Sequence, residues 1–241
     1  MNTAIDRRLF DRRLYLTAAV LFPLIVVAGF ARTYYLKGVF GTPPLSSNLV
    51  HLHGFVMTAW VALFVVQTRL IAAKQTRVHQ RLGYAGIALA ALVIIVGLPT
   101  ALRAGKYGFA ASPPGIDSHA FMIMPMFDLL MFAIFFGAAV WYRRQPAEHK
   151  RLMLLTAINF LPPAVARIPA ASLQALGPLW FFGVPTVLAL LCVALDARRF
   201  GRVNKVFVAG TLLLIASYGT RLALMTSAAW MNVAEWLTSF V

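Results

Sequence analysis

The sequence predicts an all-α fold: a polytopic transmembrane helix bundle of about seven spans, in a single domain covering residues 1–241. Three observations lead there. Of the 241 residues, 61% are hydrophobic and only 12% charged, against about 25% charged in soluble domains. Such a chain cannot cover itself with polar surface, so the lipid bilayer is its expected solvent. Apolar runs of the length needed to cross hydrocarbon, about 20 residues, recur along the whole chain. The basic residues gather in clusters between those runs, as topology signals do.

Taken in order, the runs give spans at 14–36, 48–73, 79–103, 119–142, 149–170, 177–197 and 203–229. The N-terminal DRRLFDRRLYL has the doubled arginines of a twin-arginine signal, but the apolar run behind it is too long for a cleaved segment. It reads as an uncleaved first span. Turn-rich loops, GVFGTPPLSS (Gly38–Ser47) and AGKYGFAASPPGIDS (Ala104–Ser118), separate spans one and two and spans three and four. The tail from Asn232 to Val241 is amphipathic, suited to an interface.

Orientation follows from the lysines and arginines. With the N-terminus inside, the inner face holds Arg7, Arg8, Arg12, Arg13; Arg69, Lys74, Arg77, Arg81; Arg143, Arg144, Lys150, Arg151; and Arg198, Arg199, Arg202, Lys205. The outer face keeps Arg32, Lys37, Arg103, Lys106, Arg167 and Arg221. This asymmetry predicts a multi-pass protein of a bacterial-type inner (plasma) membrane, N-terminus cytoplasmic and C-terminus outside. The net charge of +15 therefore does not indicate nucleic acid, whose binders concentrate basic residues on one face of a soluble fold. The single cysteine, Cys192, excludes a disulfide, a CxxC zinc site and a CxxCH haem attachment.

The chain repeats itself with a unit of two spans. Span two carries His53-Gly-Phe-Val-Met and span four His119-Ala-Phe-Met-Ile; span three opens His79-Gln-Arg-Leu and span five His149-Lys-Arg-Leu. The repeat predicts a central four-helix core from spans two to five, with His53 and His119 near the outer surface and His79 and His149 near the inner one. His51 lies about 200° around the helix from His53, so only one of them can face the core. The face of His53 continues through Met57, Trp60, Phe64 and Gln67, and that of His79 through Gly83 and Gly86. These faces suit a flat cofactor, and they suit ordinary helix packing equally. Arg167 and Arg221 are placed to neutralise haem propionates or an anionic substrate near the outer histidines, or to reach the headgroups. Asp128 and Asn159 fall near mid-membrane. Asp128 lies on the side away from His119, where it is expected to accept from Asn159 or pair with an arginine.

Over residues 48–170 this layout resembles the cytochrome b561 family of transmembrane electron carriers. The resemblance rests on the paired histidines, on their 66- and 70-residue separations, and on His79-Gln-Arg-Leu-Gly, which is similar to that family's His-x-x-Leu-Gly. It implies two b-type haems, an outer one between His53 and His119 and an inner one between His79 and His149. It also implies an electron-transfer function with a quinone, a metal ion or a redox protein as partner. The chain departs from the family in having seven expected spans rather than six and in lacking its ascorbate-binding lysine pattern. It is also similar to uncharacterised bacterial multi-span proteins sharing the HxHG and HxRL motifs. Two alternatives stay open. One is an outer-face copper or other metal site using His51, His53 and His119, in an enzyme, transporter or oxidase assembly factor. The other is a cofactor-free transporter or structural membrane protein, whose prolines mark broken helices.

Overall fold

A computed structural model describes residues 3–108 and 115–241, with side chains from Leu9 onward. Part of the loop expected at Ala104–Ser118 lies outside the described residues, as do the side chains of Arg7 and Arg8. Among the described residues the regular structure is helical throughout, with no strand. The long helices are α1 (Thr3–Phe30, prolonged by a π-helical turn at Ala31–Tyr35), α3 (Asn48–Ala72), α4 (Thr76–Tyr107), α5 (Ser118–Trp141), α10 (Gly183–Phe200) and α11 (Lys205–Leu224). Shorter pieces are α2 (Lys37–Phe40), α6 (Pro146–Asn159), α7 (Pro162–Arg167), α8 (Ala171–Gln174), α9 (Pro178–Phe181) and α12 (Ala228–Thr238). Side-chain oxygens satisfy orphan amides where helices begin: Ser47 accepts from Val50, Asp117 from His119 and Ala120, Asn204 from Phe207 and Ser227 from Trp230.

Among the described residues, six segments are long and apolar enough to cross a membrane: Leu9–Tyr35, Asn48–Ala72, Thr76–Tyr107, Ser118–Arg144, Pro178–Phe200 and Lys205–Leu224. Their outer faces are built for lipid. Val20, Leu24, Ile95, Val187 and Leu212 are each more than half exposed, a pattern that water would penalise and hydrocarbon does not.

The fifth expected span, 149–170, is two helices instead of one. Pro162 and Pro163 supply no N–H to continue the ladder, so α6 ends at Asn159 and α7 restarts at Pro162. Together the two still traverse the bundle. Lys150 near the start of α6 pairs with Asp11 at 2.6 Å, and Arg167 at the end of α7 lies over Phe30. Those two positions on α1 are 19 residues apart, ~28 Å at 1.5 Å per residue. The pair is the most enclosed part of the chain, with Leu154 to Pro162 buried without interruption. Surrounded by protein, it need not be as apolar as a lipid-facing helix.

Span seven is likewise shorter than expected. It stops at Leu224, and the amphipathic tail forms α12, which folds back against α4 and α5. Trp230 Nε1 donates to the His119 carbonyl at 2.8 Å, and Lys106 hydrogen-bonds the Val241 carbonyl. Asp11 and Val241 therefore lie at opposite ends of the bundle.

Two apolar clusters share α6. One joins α3, α4 and α5 through Val56, Trp60, Ala90, Val93 and Phe132 and includes Phe160; Trp60 meets Phe132 edge-on at 4.9 Å. This is the core expected from spans two to five. The larger cluster lies on the other side of α6 and brings in α1, α7, α10 and α11, so the four-helix unit is only half of the packing. Near the Asp11 end of the bundle the halves are tied by Arg151 and Asp196, 4% and 2% exposed, with guanidinium-to-carboxylate distances of 2.6–3.1 Å. Toward the opposite end α1 and α7 approach so closely that a Cβ on Gly29 would overlap the Ala164 carbonyl. Because backbone cannot yield as a side-chain tip does, Gly29→Val is expected to cost well over 1 kcal/mol, read as a lower unfolding midpoint in lipid nanodiscs. Unchanged stability would show that the two helices are not held in this contact.

Candidate functional site

The inner histidines occupy equivalent places on their helices. His79 is the fourth residue of α4 and His149 the fourth of α6. Each backbone N–H bonds the carbonyl of a glutamine that begins the helix, Gln75 or Gln145, at 3.0 Å. The Gln-x-x-x-His segments thus start both helices alike and deliver the two rings to one spot. The ring centroids are 6.3 Å apart with planes at 80°. That separation leaves room for one ion between imidazoles at the usual metal–nitrogen distance of about 2.0–2.1 Å.

His149 Nδ1 donates to the Ala139 carbonyl at 2.8 Å, which fixes the ring and leaves Nε2 as the free nitrogen, the usual arrangement behind a metal-ligating histidine. His79 Nδ1 is buried without a partner, and so is Gln67 Oε1, whose amide Nε2 donates to the His79 carbonyl at 3.3 Å. One turn along α4, a Cβ on Gly83 would meet nothing within 4 Å. The two adjacent imidazoles, with the open space at Gly83 and the unpaired His79 Nδ1 beside them, are the residues that would hold a haem. No group of three or more His, Cys, Asp or Glu suited to holding an ion occurs among the described residues, whereas haem needs only two protein ligands.

The outer pair is arranged differently. His53 is the sixth residue of α3 and His119 the second of α5, a four-residue offset, ~6 Å along a helix. Their rings do not meet. His119 Nε2 lies 3.1 Å from Thr238 Oγ1, whose own hydroxyl bonds the Ala234 carbonyl at 2.9 Å. With the hydroxyl proton committed to Ala234, Nε2 is the donor: it carries a proton and presents no lone pair to a metal. His119 Nδ1 faces Asp117 at 3.6 Å. His51 is exposed while His53 is half-buried, in keeping with their opposite faces. Residues at this outer pair do not fit a second haem in the conformation observed. His119→Ala is expected to leave the inner pair intact and to free α12, seen as faster proteolysis after residue 224. Unaltered proteolysis would show that the Thr238 contact does not hold the tail.

Neither arginine stands at an open haem edge. Arg167 donates to the Pro163 carbonyl at 2.6 Å, with its guanidinium 4.9 Å from the Phe30 ring centre, and is near enough to His53 to act on it electrostatically. Arg221 is fully buried and pairs with Asp128 at 2.5 Å. Asp128 thus takes the arginine expected as one of its partners. Asn159 donates to the Asp128 main-chain carbonyl, at 2.8 Å, rather than to its carboxylate.

Sequence reasoning passed over Asp196, Thr238 and Tyr218. Only Asp196 carried a signal, an acid inside an otherwise apolar span. No protein-family model, curated protein or solved structure matches the chain.

Proposed function

We propose that this protein is a membrane-embedded electron carrier that holds one b-type haem between His79 and His149. The observation that carries the reading is the approach of two histidines, 70 residues apart in sequence, to a ring separation of 6.3 Å, with one of them already oriented through Nδ1. When bound there, haem would supply reversible one-electron chemistry; two axial histidines saturate iron and favour electron transfer over oxygen binding.

The residues of the chain account for the rest. His149 is held by the Ala139 carbonyl, and Gln67 fixes the start of α4 by binding the His79 carbonyl. Gly83 leaves room beside the ring plane. The pair lies at the end of the bundle that carries the basic clusters, and the positive-inside rule makes that end cytoplasmic in a bacterial-type inner membrane. Electrons would enter or leave at that face, through a quinone, a metal ion or a redox protein. A second haem at His53 and His119 is left out of the proposal because His119 is engaged with Thr238.

The test is composition. Protein purified after expression with haem supplied should contain about one extractable haem per chain. Copper or zinc at that stoichiometry, with no haem, would overturn the reading in favour of a metal site; neither would favour a cofactor-free bundle.

A further inference from the structure

At the level of the α6–α7 break, between α5, α6 and α11, the bundle encloses polar groups that no protein atom satisfies. Arg221 Nη1 binds Asp128 Oδ1 and, at 3.4 Å, the Met124 carbonyl; Nη2 reaches Ser217 Oγ at 3.4 Å. Its Nε is buried with no partner. Asn159, fully buried, uses its amide N–H on Asp128, but its Oδ1 accepts nothing. The Tyr218 hydroxyl, one turn before Arg221, is unpaired as well, on a ring whose centre is 5.3 Å from the Arg221 guanidinium. The break adds another acceptor. Leu161 N–H turns back to the Ile158 carbonyl, but Pro163 brings no N–H to the carbonyl of Asn159. Meanwhile the Asp128 side chain stays 13% exposed.

Unpaired groups in one buried place are costly, and more so where lipid replaces water outside. Their chemistry identifies what satisfies them. Arg221 Nε can only donate, Asn159 Oδ1 and the Asn159 carbonyl can only accept, and Tyr218 can do both. A metal cation would suit the acceptors but would meet the Arg221 charge and leave Nε unpaired. An anion would suit Nε but would face the Asp128 carboxylate and the carbonyls. Water serves donors and acceptors together.

We propose that the break in α6–α7 is a hydration site, where internal water bridges Arg221 Nε, Asn159 Oδ1 and the Tyr218 hydroxyl beside the Asp128 carboxylate. The charged groups that face it are Asp128 from α5 and Arg221 from α11, while α6 contributes the neutral Asn159. A proline pair that opens the helix thus provides a polar, exchangeable pocket inside a bundle otherwise closed to water. This proposal stands independently of the haem.

The test uses the full chain in lipid nanodiscs, with radiolytic hydroxyl-radical labelling read by mass spectrometry, since bound water produces radical beside buried side chains. Tyr218, and Phe182 whose ring centre is 5.7 Å from the Arg221 guanidinium, are expected to label several-fold more than Phe132, all three being buried. Tyr218→Phe should reduce labelling at Phe182 several-fold and lower the unfolding midpoint, because a satisfied hydroxyl is lost. Labelling no higher than at Phe132, or a midpoint that rises or stays unchanged in Tyr218→Phe, would overturn the proposal by showing a dry site. Exchange of choline for sodium should leave the midpoint unchanged; stabilisation by sodium that is lost in Asn159→Leu would overturn it in favour of a cation.

Discussion

His149→Ala and His79→Ala are each expected to abolish haem binding, while His119→Ala and His51→Ala retain it. Removing His149 takes away the ligand that is already oriented by the Ala139 carbonyl. Removing His79 leaves one axial nitrogen and an enlarged gap at the start of α4. A single remaining imidazole holds haem far less firmly than two, so each variant should lose most of its Soret absorbance at equal protein yield. His53→Ala distinguishes the family resemblance from the geometry. Two haems would halve on this substitution, whereas an inner site alone leaves the content unchanged. Absorbance per chain, measured on protein that elutes as a single species, reads all of these. Equal loss of absorbance in the His119 and His149 variants would contradict the assignment.

Arg221→Met should be among the most destabilising single substitutions in the chain. Arg221 is buried completely and its partner Asp128 nearly so, and the carboxylate left behind loses its only counter-charge in the pair. Breaking such a pair costs about 3–5 kcal/mol, a large part of the 5–15 kcal/mol typical of a folded domain. Asp128→Asn should be costly for the complementary reason. The double variant Asp128→Asn with Arg221→Met removes both charges and is expected to recover most of the loss, since an apolar replacement of a whole buried pair is often near neutral. Thermal unfolding of the three variants in nanodiscs checks this. Single variants as stable as the parent would mean that the ion pair does not hold α5 to α11. The corresponding inner pair, Arg151 with Asp196, is bidentate and as deeply buried, and the same logic applies to Arg151→Met.

Much of the fold was legible because hydropathy acts on each helix separately. Lipid-facing runs such as Asn48–Ala72 must be apolar along their length; that span ends within a residue of the expected 73, while Thr76–Tyr107 overruns the expected 79–103 at both ends. The α6–α7 element was not legible as a broken helix, because Pro162 and Pro163 are compatible with either a kinked span or a restart, and only packing decides. Helix ends also misled where capping and tertiary contact intervened, as at span seven, expected to reach 229 but ending at Leu224 before α12 begins at Ala228.

The candidate site divides along the same line. The Gln-x-x-x-His starts of α4 and α6 are local signals repeated in sequence, and the structure brings those rings together. The outer histidines carry a similar repeat but sit at different depths from their helix starts. The contact that occupies His119 comes from Thr238, 119 residues later. The same separation hid the buried pairs: Asp128 meets Arg221 across 93 residues and Arg151 meets Asp196 across 45. Charge and hydropathy along the chain show that such residues are expensive in a membrane, but not which partner relieves each one.

If His79 and His149 both ligate one haem, electron paramagnetic resonance of the oxidised, purified protein reads it, because ligand number and relative ring orientation both shape the ferric signal. With two imidazoles whose planes stand at 80°, a low-spin, strongly anisotropic signal is expected that disappears in His149→Ala. A high-spin ferric signal in the parent protein, or the absence of any haem signal, would contradict it.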